Sequence, residues 1–340
     1  MRFGLGPLTM EVAAESKKQV DVMEEALEQA VTAEWWGFDS VWAGERHFTP
    51  DHFNSSSSVI GAALAQRTEF MRVGVMPVLG LVNAMYVAEE VACIDNIGNG
   101  RTIVAAQIPT ENEAFGWGGS SSVDRALDDI EVLRKSWGPN PFSHHSEFHT
   151  IPMENPVHTQ ALGLDKISVQ PKPAQLEMPL WVSGGDAAAE VARIAKIPYF
   201  APAHLALPDL VDLYEGTQQE GGIVPLAREV FIAPTTERAY ELASDAIAGL
   251  YQRLVRAGIA EGSLSFDELV RDRFIIGDAD TCIEQLYRYE RELGVNYVVA
   301  RIAYHEMHHG ETAKAIQLFG QAIVPEFRMF GLPDEIRKVV

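Results

Sequence analysis

Short runs of β-branched and aliphatic residues recur along the chain, and most of them are continuous rather than alternating with polar residues. Continuous apolar runs are typical of parallel strands that are covered on both faces of the sheet. Eight runs of this kind predict eight strands, at 2–6, 40–43, 72–79, 102–108, 180–184, 198–203, 229–234 and 296–303.

The segments between these runs have the period of amphipathic helices. Strand and helix alternate eight times, which predicts an α/β fold in the form of a closed (β/α)₈ TIM barrel. An open doubly wound sheet is the alternative. The apolar stripes behind this prediction are Val20, Met23, Leu27, Ala30 and Val31 in one helix, Val123, Leu127, Ile130 and Trp137 in a second, and Ile283, Leu286, Tyr287 and Leu293 in a third.

Two stretches interrupt the alternation of strand and helix. Residues 138–179 contain seven prolines and little periodicity, and residues 258–278 lie between the helix after the seventh strand and the last helix before the eighth. Long insertions in compact domains are usually functional or disordered. We interpret both stretches as lids, after strands 4 and 7, on a single domain that spans 1–340.

The chain has 48 Asp and Glu residues against 27 Lys and Arg residues, which gives a formal charge of −21. This charge repels phosphate backbones and anionic lipids, so neither nucleic acid nor a membrane is an expected partner. The sequence shows no apolar run long enough to span a membrane and no signal peptide. Cys93 and Cys282 lie in predicted helices, where we expect small buried side chains rather than a disulfide, as in a cytoplasmic protein.

The run "GFDSVWAGERHF" at 37–48 ends a predicted strand in three ionisable residues, Glu45, Arg46 and His47. In barrel enzymes the catalytic groups lie at the carboxyl ends of the strands, so these side chains are predicted at the barrel mouth. A structural role is the alternative: Glu45 would pair with Arg46 or with a helix, and His47 would pack beneath a loop.

The same run resembles the signature GFDSVW-x-x-E-H-H-F of the bacterial luciferase-like flavin-dependent monooxygenases. Further segments follow in that family's order, so the resemblance covers nearly the whole chain; they are "RVGVMPVL", "AEEVACIDNIGNGR", "ENEAFG", "MPLWVSGG" and "GDADTCIEQLYRYERELGVNYVVARI". The resemblance implies a (β/α)₈ barrel that holds reduced flavin mononucleotide (FMN), or the deazaflavin F420, across its strand ends.

In the monooxygenase members of that family, O₂ attacks the reduced flavin at C4a. The protein positions the reactants and excludes water from the site. We therefore expect a luciferase-like monooxygenase that takes reduced FMN from a partner reductase. The apolar barrel mouth predicts a small hydrophobic organic substrate. An F420-dependent oxidoreductase of the same fold, or a barrel that binds flavin without catalysis, is the alternative. Family members commonly form homodimers, and 84–97 is apolar enough for a dimer surface or for packing on the chain's own strands.

The resemblance also assigns catalytic residues. Glu45 matches the family's glutamate, Arg46 stands in place of the first histidine of the pair, and His47 matches the second. Arginine cannot act as a general base at neutral pH, but its fixed donors can stabilise an anionic reduced flavin. His47 is therefore the candidate for proton transfer.

Residues after the third and fourth strands are assigned to the cofactor by the same resemblance. In family members a cis peptide after the third strand shapes the floor beneath the flavin ring, which predicts a cis bond between Met76 and Pro77. Gln107 stands where the fourth strand usually ends in a glycine-rich turn with a phosphate-binding arginine. The phosphate site thus departs from the family pattern.

The loop before a predicted helix supplies the remaining cofactor residues. Ser183, Gly184 and Gly185 precede the helix, and a helix N-terminus with small residues is a ready anion cradle. Asp186 follows, where a serine is common in the family. Its carboxylate would repel a flavin phosphate, or would serve only as the helix N-cap.

Residues 305–309, "HEMHH", match the HExxH pattern of zinc proteases. A zinc site needs both histidines on one helix, whereas this run directly follows the last strand, so we predict a loop and no metal site. His305 is predicted to contact substrate at the barrel mouth, with a solvated loop as the alternative. The histidines of the first insertion, His144, His145 and His149, are expected to be ordinary surface residues.

Overall fold

The computed structural model describes residues 1–8, 10, 17–48, 54–154, 163, 165–256, 264–304 and 307–329. Its strands are β1 (Arg2–Leu8), β2 (Ser40–Ala43), β3 (Arg72–Val75), β4 (Thr102–Gln107), β5 (His144–His145), β6 (Thr150–Ile151), β7 (Leu180–Ser183), β8 (Tyr199–Phe200), β9 (Pro225–Ile232), β10 (Phe274–Gly277) and β11 (Tyr297–Arg301). Nine of these form one curled, parallel sheet in the order β10-β9-β11-β1-β2-β3-β4-β7-β8, and β5 pairs with β6 in a separate antiparallel hairpin.

Helices connect most of the sheet strands, as parallel pairing requires. They are α1 (Gln19–Trp35), α2 (Ser57–Arg67), α3 (Ala84–Ile97), α4 (Glu111–Trp117), α5 (Val123–Trp137), α6 (Asp186–Ala195), α7 (Leu207–Tyr214), α8 (Thr236–Arg256), α9 (Phe266–Val270), α10 (Ala279–Leu293) and α11 (His309–Leu318), which continues through a π-helical turn (Phe319–Ile323) into α12 (Val324–Met329). Among the described residues, no helix is long and apolar enough to cross a bilayer.

Each of the eight predicted runs contains a strand of the sheet, because an apolar run covered on both sides is a local feature. Strand β10 is not among the predicted strands, and it lies inside the predicted insertion 258–278. Its four residues pair in parallel with 229–232 of β9. That part of the predicted lid is therefore a strand of the sheet, and 258–263 lies outside the described residues.

The buried face of α1 differs from the predicted stripe. Val20 and Val31 are 66% and 43% exposed. The buried residues of α1 are Val22, Ala26, Gln29 and Ala33, together with Ala30 from the predicted stripe. Met23 and Leu27 of the predicted stripe also pack against the core and are partly buried. The small alanine side chains on this face let the helix pack closely against the core.

Aromatic side chains fill the interior of the curled sheet. The ring of Trp42 in β2 lies 4.8 Å from that of Trp181 in β7 and 5.4 Å from that of Phe200 in β8. Because β3, β4 and β7 separate β2 from β8 in the sheet order, these contacts cross the inside of the sheet. A Cβ atom at position 74 would lie 2.2 Å from Cδ2 of Trp42, so only Gly74 leaves room for this ring.

The hairpin β5–β6 in the first predicted insertion packs on α5 through two histidine–aspartate pairs. Nε2 of His144 lies 2.8 Å from Oδ1 of Asp128, and Nε2 of His149 lies 2.6 Å from Oδ1 of Asp129. Both histidines are buried, so their prediction as surface residues is wrong, whereas His145 is exposed. The aspartates lie 16 and 20 positions away along the chain, which a local pattern does not reveal.

One group beside this hairpin has the composition of a metal site. Asp128, Glu131 and His144 have ligand atoms within 4.8 Å of one another. However, Nζ of Lys135 lies 2.7 Å from Oε1 of Glu131 and 2.9 Å from Nδ1 of His144. An ammonium group therefore already supplies the positive charge that these residues attract.

The two cysteines differ in their surroundings. Cys282 in α10 is buried, as predicted, and burial raises the pKa of its thiol to about 12. Cys93 is exposed, so its predicted burial is wrong. It lies on the outer face of α3, whose apolar stripe is buried within the chain.

Candidate active site

The ionisable residues after β2 lie at the same edge of the sheet as the ends of β3 and β4, which we term the carboxyl edge. Glu45 and His47 follow β2, Met76 follows β3, and Gln107 ends β4. Because these strands are parallel neighbours, their carboxyl ends meet at one edge. Contacts among the four residues define the candidate site.

Glu45 is the central hydrogen-bond acceptor of the site. Its Oε2 accepts hydrogen bonds from the backbone N–H (2.7 Å) and the hydroxyl (2.8 Å) of Ser57, the first residue of α2. The positive end of the helix dipole stabilises a carboxylate at this position. Its Oε1 lies 3.1 Å from Nε2 of His47, so the pairing of Glu45 with Arg46 does not form. The side chains of Glu45 and His47 are 13% and 11% exposed.

Helix α4 anchors the backbone of His47. The His47 N–H donates to Oε1 of Glu113 at 3.1 Å, and Oε2 of Glu113 accepts from the N–H and hydroxyl of Thr110, both at 2.9 Å. This capping box fixes the start of α4 against the site. The rings of Trp117 and Phe48 lie 5.6 Å and 6.1 Å from the His47 ring, where they limit its contact with water.

Gln107, at the end of β4, forms hydrogen bonds to the segments that follow β2 and β3. Its Nε2 donates to the carbonyl oxygens of Met76 (2.6 Å) and Glu45 (3.2 Å), and its backbone N–H donates to the carbonyl of Pro77 (2.8 Å). The side chain is buried, so these bonds are protected from water. The contacts made by its amide nitrogen therefore give Gln107 a structural role at the carboxyl edge.

The peptide bond between Met76 and Pro77 is not cis, so that prediction is wrong. The cis bonds among the described residues are Gly6–Pro7, Ile151–Pro152 and Gln170–Pro171. With a trans bond, the chain after β3 continues beside β4, where Val78 pairs with Gln107 in a parallel bridge. Hydrogen bonding to β4 thus determines the path of this segment.

The loop after β7 leads into α6. Gly185, rather than Asp186, is the N-cap of this helix, and within the described chain no side chain caps it, so the predicted capping role of Asp186 is wrong. Gly184 has a φ of +144°, and a Cβ there would lie 3.1 Å from that of Ala188. A Cβ at Gly185 would meet nothing within 4 Å. Uncapped N–H groups beside open space fit an anion, whereas the exposed carboxylate of Asp186 opposes one.

His204 is not among the predicted site residues, since it follows β8 in a turn and belongs to no motif. Burial, together with the positive charges of Arg46, Arg228 and Arg273, lowers the pKa of its imidazole to about 4. The charge of Arg46 thus acts on His204, although the two residues follow different strands.

The "HEMHH" run is partly helical. His308 is the N-cap of α11 and His309 is its first residue, so the predicted loop ends there. Nε2 of His309 lies 3.2 Å from a carboxylate oxygen of Glu28 in α1. His305 lies outside the described residues, and its contact with substrate stays a prediction.

The chain belongs to the luciferase-like monooxygenase family, because the model of that family matches residues 1–297. The predicted family is thereby confirmed, and with it the assignment to the oxidoreductases. A relative is the uncharacterized protein y4wF of Sinorhizobium fredii (strain NBRC 101917 / NGR234). It is 23% identical over 298 residues, which cover 80% of this chain and 82% of that protein.

Three solved structures have similar folds. The monooxygenase RslO1 from Streptomyces bottropensis has a TM-score of 0.83 at 19% identity, covering 96% of this chain and 100% of the other. The oxygenating constituent of 3,6-diketocamphane monooxygenase from Pseudomonas putida, in complex with FMN, has a TM-score of 0.76 at 17% identity, covering 96% and 98%. An F420-dependent secondary alcohol dehydrogenase, in complex with an F420-acetone adduct, has a TM-score of 0.67 at 18% identity, covering 95% and 98%.

Proposed function

We propose that the protein is a flavin-dependent monooxygenase that uses O₂ and reduced FMN from a separate reductase to oxygenate an organic substrate with apolar surface. The observation that carries the proposal is the chain of contacts from Ser57 through Glu45 to His47 at the carboxyl edge. An imidazole oriented by a carboxylate is suited to moving a proton to or from a bound molecule.

The residues at the carboxyl edge fit a flavin. Met76 and the aromatic layer beneath it offer an apolar floor for the ring system. The buried Ser183 and the loop residues Gly184 and Gly185 would hold the phosphate at the uncapped start of α6. The FMN bound by one structural neighbour and the F420 adduct bound by another support a flavin or deazaflavin cofactor.

A reduced flavin supplies the two electrons with which O₂ places one oxygen atom in a substrate and releases the other as water. The side chains of this protein position the bound molecules and transfer protons to or from them. Glu45, as an acceptor, keeps a hydrogen on Nε2 of His47 and so fixes the tautomer. We assign proton transfer to this imidazole. Trp117 and Phe48 limit access of water, and Arg46 adds positive charge.

The remaining parts of the proposal concern architecture and assembly. We propose that the sheet closes into a (β/α)₈ barrel with β10 as an additional strand and with 138–179 as an insertion after the fourth strand. A parallel bridge between Ala201, beside β8, and Leu226 of β9 supports closure. One domain over 1–340, a homodimer and a cytoplasmic location belong to the same proposal.

The test is an anaerobic titration of the purified protein with reduced FMN and, separately, with reduced F420, each followed by mixing with O₂. We expect reduced FMN to bind and its oxidation by O₂ to differ in rate from that of the free flavin. Binding of reduced F420 alone would indicate the F420-dependent oxidoreductase instead. A protein that binds neither cofactor would contradict the proposal and leave a barrel without flavin chemistry.

A further inference from the structure

Arg46 and His204 follow the carboxyl ends of two different strands, β2 and β8. Trp42 and Phe200 are in contact across the inside of the curled sheet, with 5.4 Å between ring centroids. Arg46 lies four positions after Trp42, and His204 lies four positions after Phe200. The two chain segments therefore leave the sheet at the same edge and on opposite sides of its interior.

Among the described residues, no carboxylate pairs with the guanidinium group of Arg46. Its backbone N–H donates to the carbonyl of Asn54, but no hydrogen bond or ion pair joins its guanidinium group to a described residue. The adjacent carboxylate of Glu45 is engaged with Ser57 and His47. A partly buried cation without a partner is costly, so an anionic ligand at this position would be stabilised.

Hydrogen bonds from Arg228 hold the backbone of the turn that contains His204. Arg228, a fully buried residue of β9, donates through Nη1 to the carbonyl oxygens of Ala203 and Leu205, both at 2.9 Å. Its guanidinium lies 4.7 Å from the ring centroid of Tyr289, which holds it in place. Bonds on either side of His204 thus fix the backbone, and the imidazole is not needed for the turn.

The His204 ring itself makes no hydrogen bond to a described residue. Because burial and the nearby arginines depress its pKa, the imidazole is neutral at physiological pH and offers one N–H donor. Of the charged groups that act on it, Arg46, Arg228 and Arg273 are positive and Asp209 is negative. Three of these four groups are positive, in a protein whose formal charge is −21.

We propose that Arg46 and His204 bind a carboxylate of the substrate, which is therefore an organic acid with an apolar remainder. This inference rests on the proposed function and names the substrate class. Arginine binds carboxylates through two parallel hydrogen bonds, and His204 adds a third donor. The exposed aromatic side chains of Phe48 and Trp117, on the His47 side of the site, suit the apolar remainder. An anionic group of the cofactor is the other source of negative charge, and the test distinguishes the two.

The test compares matched ligands by calorimetry on the full chain, without flavin and with saturating FMN. 4-Phenylbutyrate and its neutral amide are the probes, and FMN and riboflavin are titrated separately. We expect the wild type to prefer the carboxylate, and Arg46→Gln to weaken its binding about tenfold or more while the amide is unaffected. We expect His204→Gln to weaken carboxylate binding less, since one neutral donor is lost. Arg67→Gln, which removes an exposed charge of α2, is the control for long-range electrostatics.

Each result decides the proposal. Equal binding of carboxylate and amide by the wild type, or an unchanged carboxylate affinity in Arg46→Gln, would overturn it. Arg46→Gln could instead bind both FMN and riboflavin more weakly while its carboxylate binding is unchanged. That result would assign Arg46 to the cofactor and would also overturn the proposal. The proposed function has a separate test, because the carboxylate titration without flavin does not require flavin binding. If the wild type does not bind reduced FMN, the proposed function fails whatever the carboxylate titration shows.

Discussion

Nε2 of His47 lies 3.1 Å from Oε1 of Glu45, whose other oxygen is bound by Ser57 at the start of α2. A helix N-terminus thus orients the imidazole through a carboxylate that precedes it by two positions. The same carboxylate would otherwise be available to Arg46. The pairing of Glu45 with His47 therefore leaves the charge of Arg46 available for a ligand.

We expect His47→Ala to slow the oxidation of bound reduced FMN by O₂ about 10²-fold or more, because general acid–base catalysis contributes that much. Its affinity for reduced FMN should be unchanged, since proton transfer is the role assigned to this ring. Stopped-flow absorbance gives the rate, and anaerobic titration gives the affinity. His145→Ala, at an exposed position of β5, is the control. A rate equal to that of the wild type would exclude His47 from proton transfer.

We expect Asp186→Ser to bind FMN roughly two- to fivefold more tightly, because removing a like charge from the first turn of a helix is worth about 0.3–1 kcal/mol. Riboflavin, which lacks the phosphate, should bind both proteins equally. Fluorescence titration measures both ligands. Asp280→Ser makes the same change in the first turn of α10 and should leave FMN binding unchanged. Equal FMN affinity in wild type and Asp186→Ser would mean that the phosphate lies elsewhere.

We expect Asp129→Asn to lower the free energy of unfolding by about 2–3 kcal/mol, the cost of losing hydrogen bonds to a buried charge. Asp129 is fully buried, its Oδ1 lies 2.6 Å from His149 and 3.0 Å from Arg125, and its Oδ2 accepts from the N–H of Gly80 at 2.8 Å. Urea unfolding measures the change.

The control for this prediction is Glu131→Gln on the same helix. Glu131 is 56% exposed and forms an ion pair with Lys135, so its loss should cost no more than about 0.5 kcal/mol. Similar values for the two variants would show that the buried pairs do not hold the β5–β6 hairpin on α5.

Glu34 should make stability depend on pH in the acid range. Its Oε1 accepts from the N–H groups of Phe70 and Met71, and both oxygens accept from that of Glu69. Burial alone would raise its pKa, but the bonds from Met71, Glu69 and Phe70 outweigh burial and lower the pKa below the ordinary value of 4.5. A carboxyl group with a lowered folded-state pKa stabilises the protein above its unfolded pKa, and this contribution disappears as pH falls through the folded value.

We therefore expect the difference in unfolding free energy between wild type and Glu34→Gln to be constant near neutral pH and to shrink below about pH 4.5. Urea unfolding between pH 7 and pH 3 measures it. Glu24→Gln, an exposed position on the same helix, controls for the loss of one negative charge. A difference that stays constant to pH 3, or that grows, would show that Glu34 is not stabilised by these bonds.

The sequence by itself determined the sheet and the place of the candidate site. Continuous apolar runs are local, so they marked eight of the nine sheet strands, and the rule that functional groups follow barrel strands placed Glu45 and His47 at the carboxyl edge. It missed β10 because the neighbouring residues 258–273 gave no regular pattern and the whole segment was interpreted as an insertion.

Only the tertiary structure decided which side chains meet. The partners of His144 and His149, the trans path after Met76, and the contact of Trp42 with Phe200 all depend on segments far apart in the chain. Hydrogen bonds and charge interactions act over a few ångströms, whereas a sequence pattern records spacing along one segment. Periodicity therefore predicts which residues are apolar and where strands end, and folding alone brings the distant groups within reach of one another.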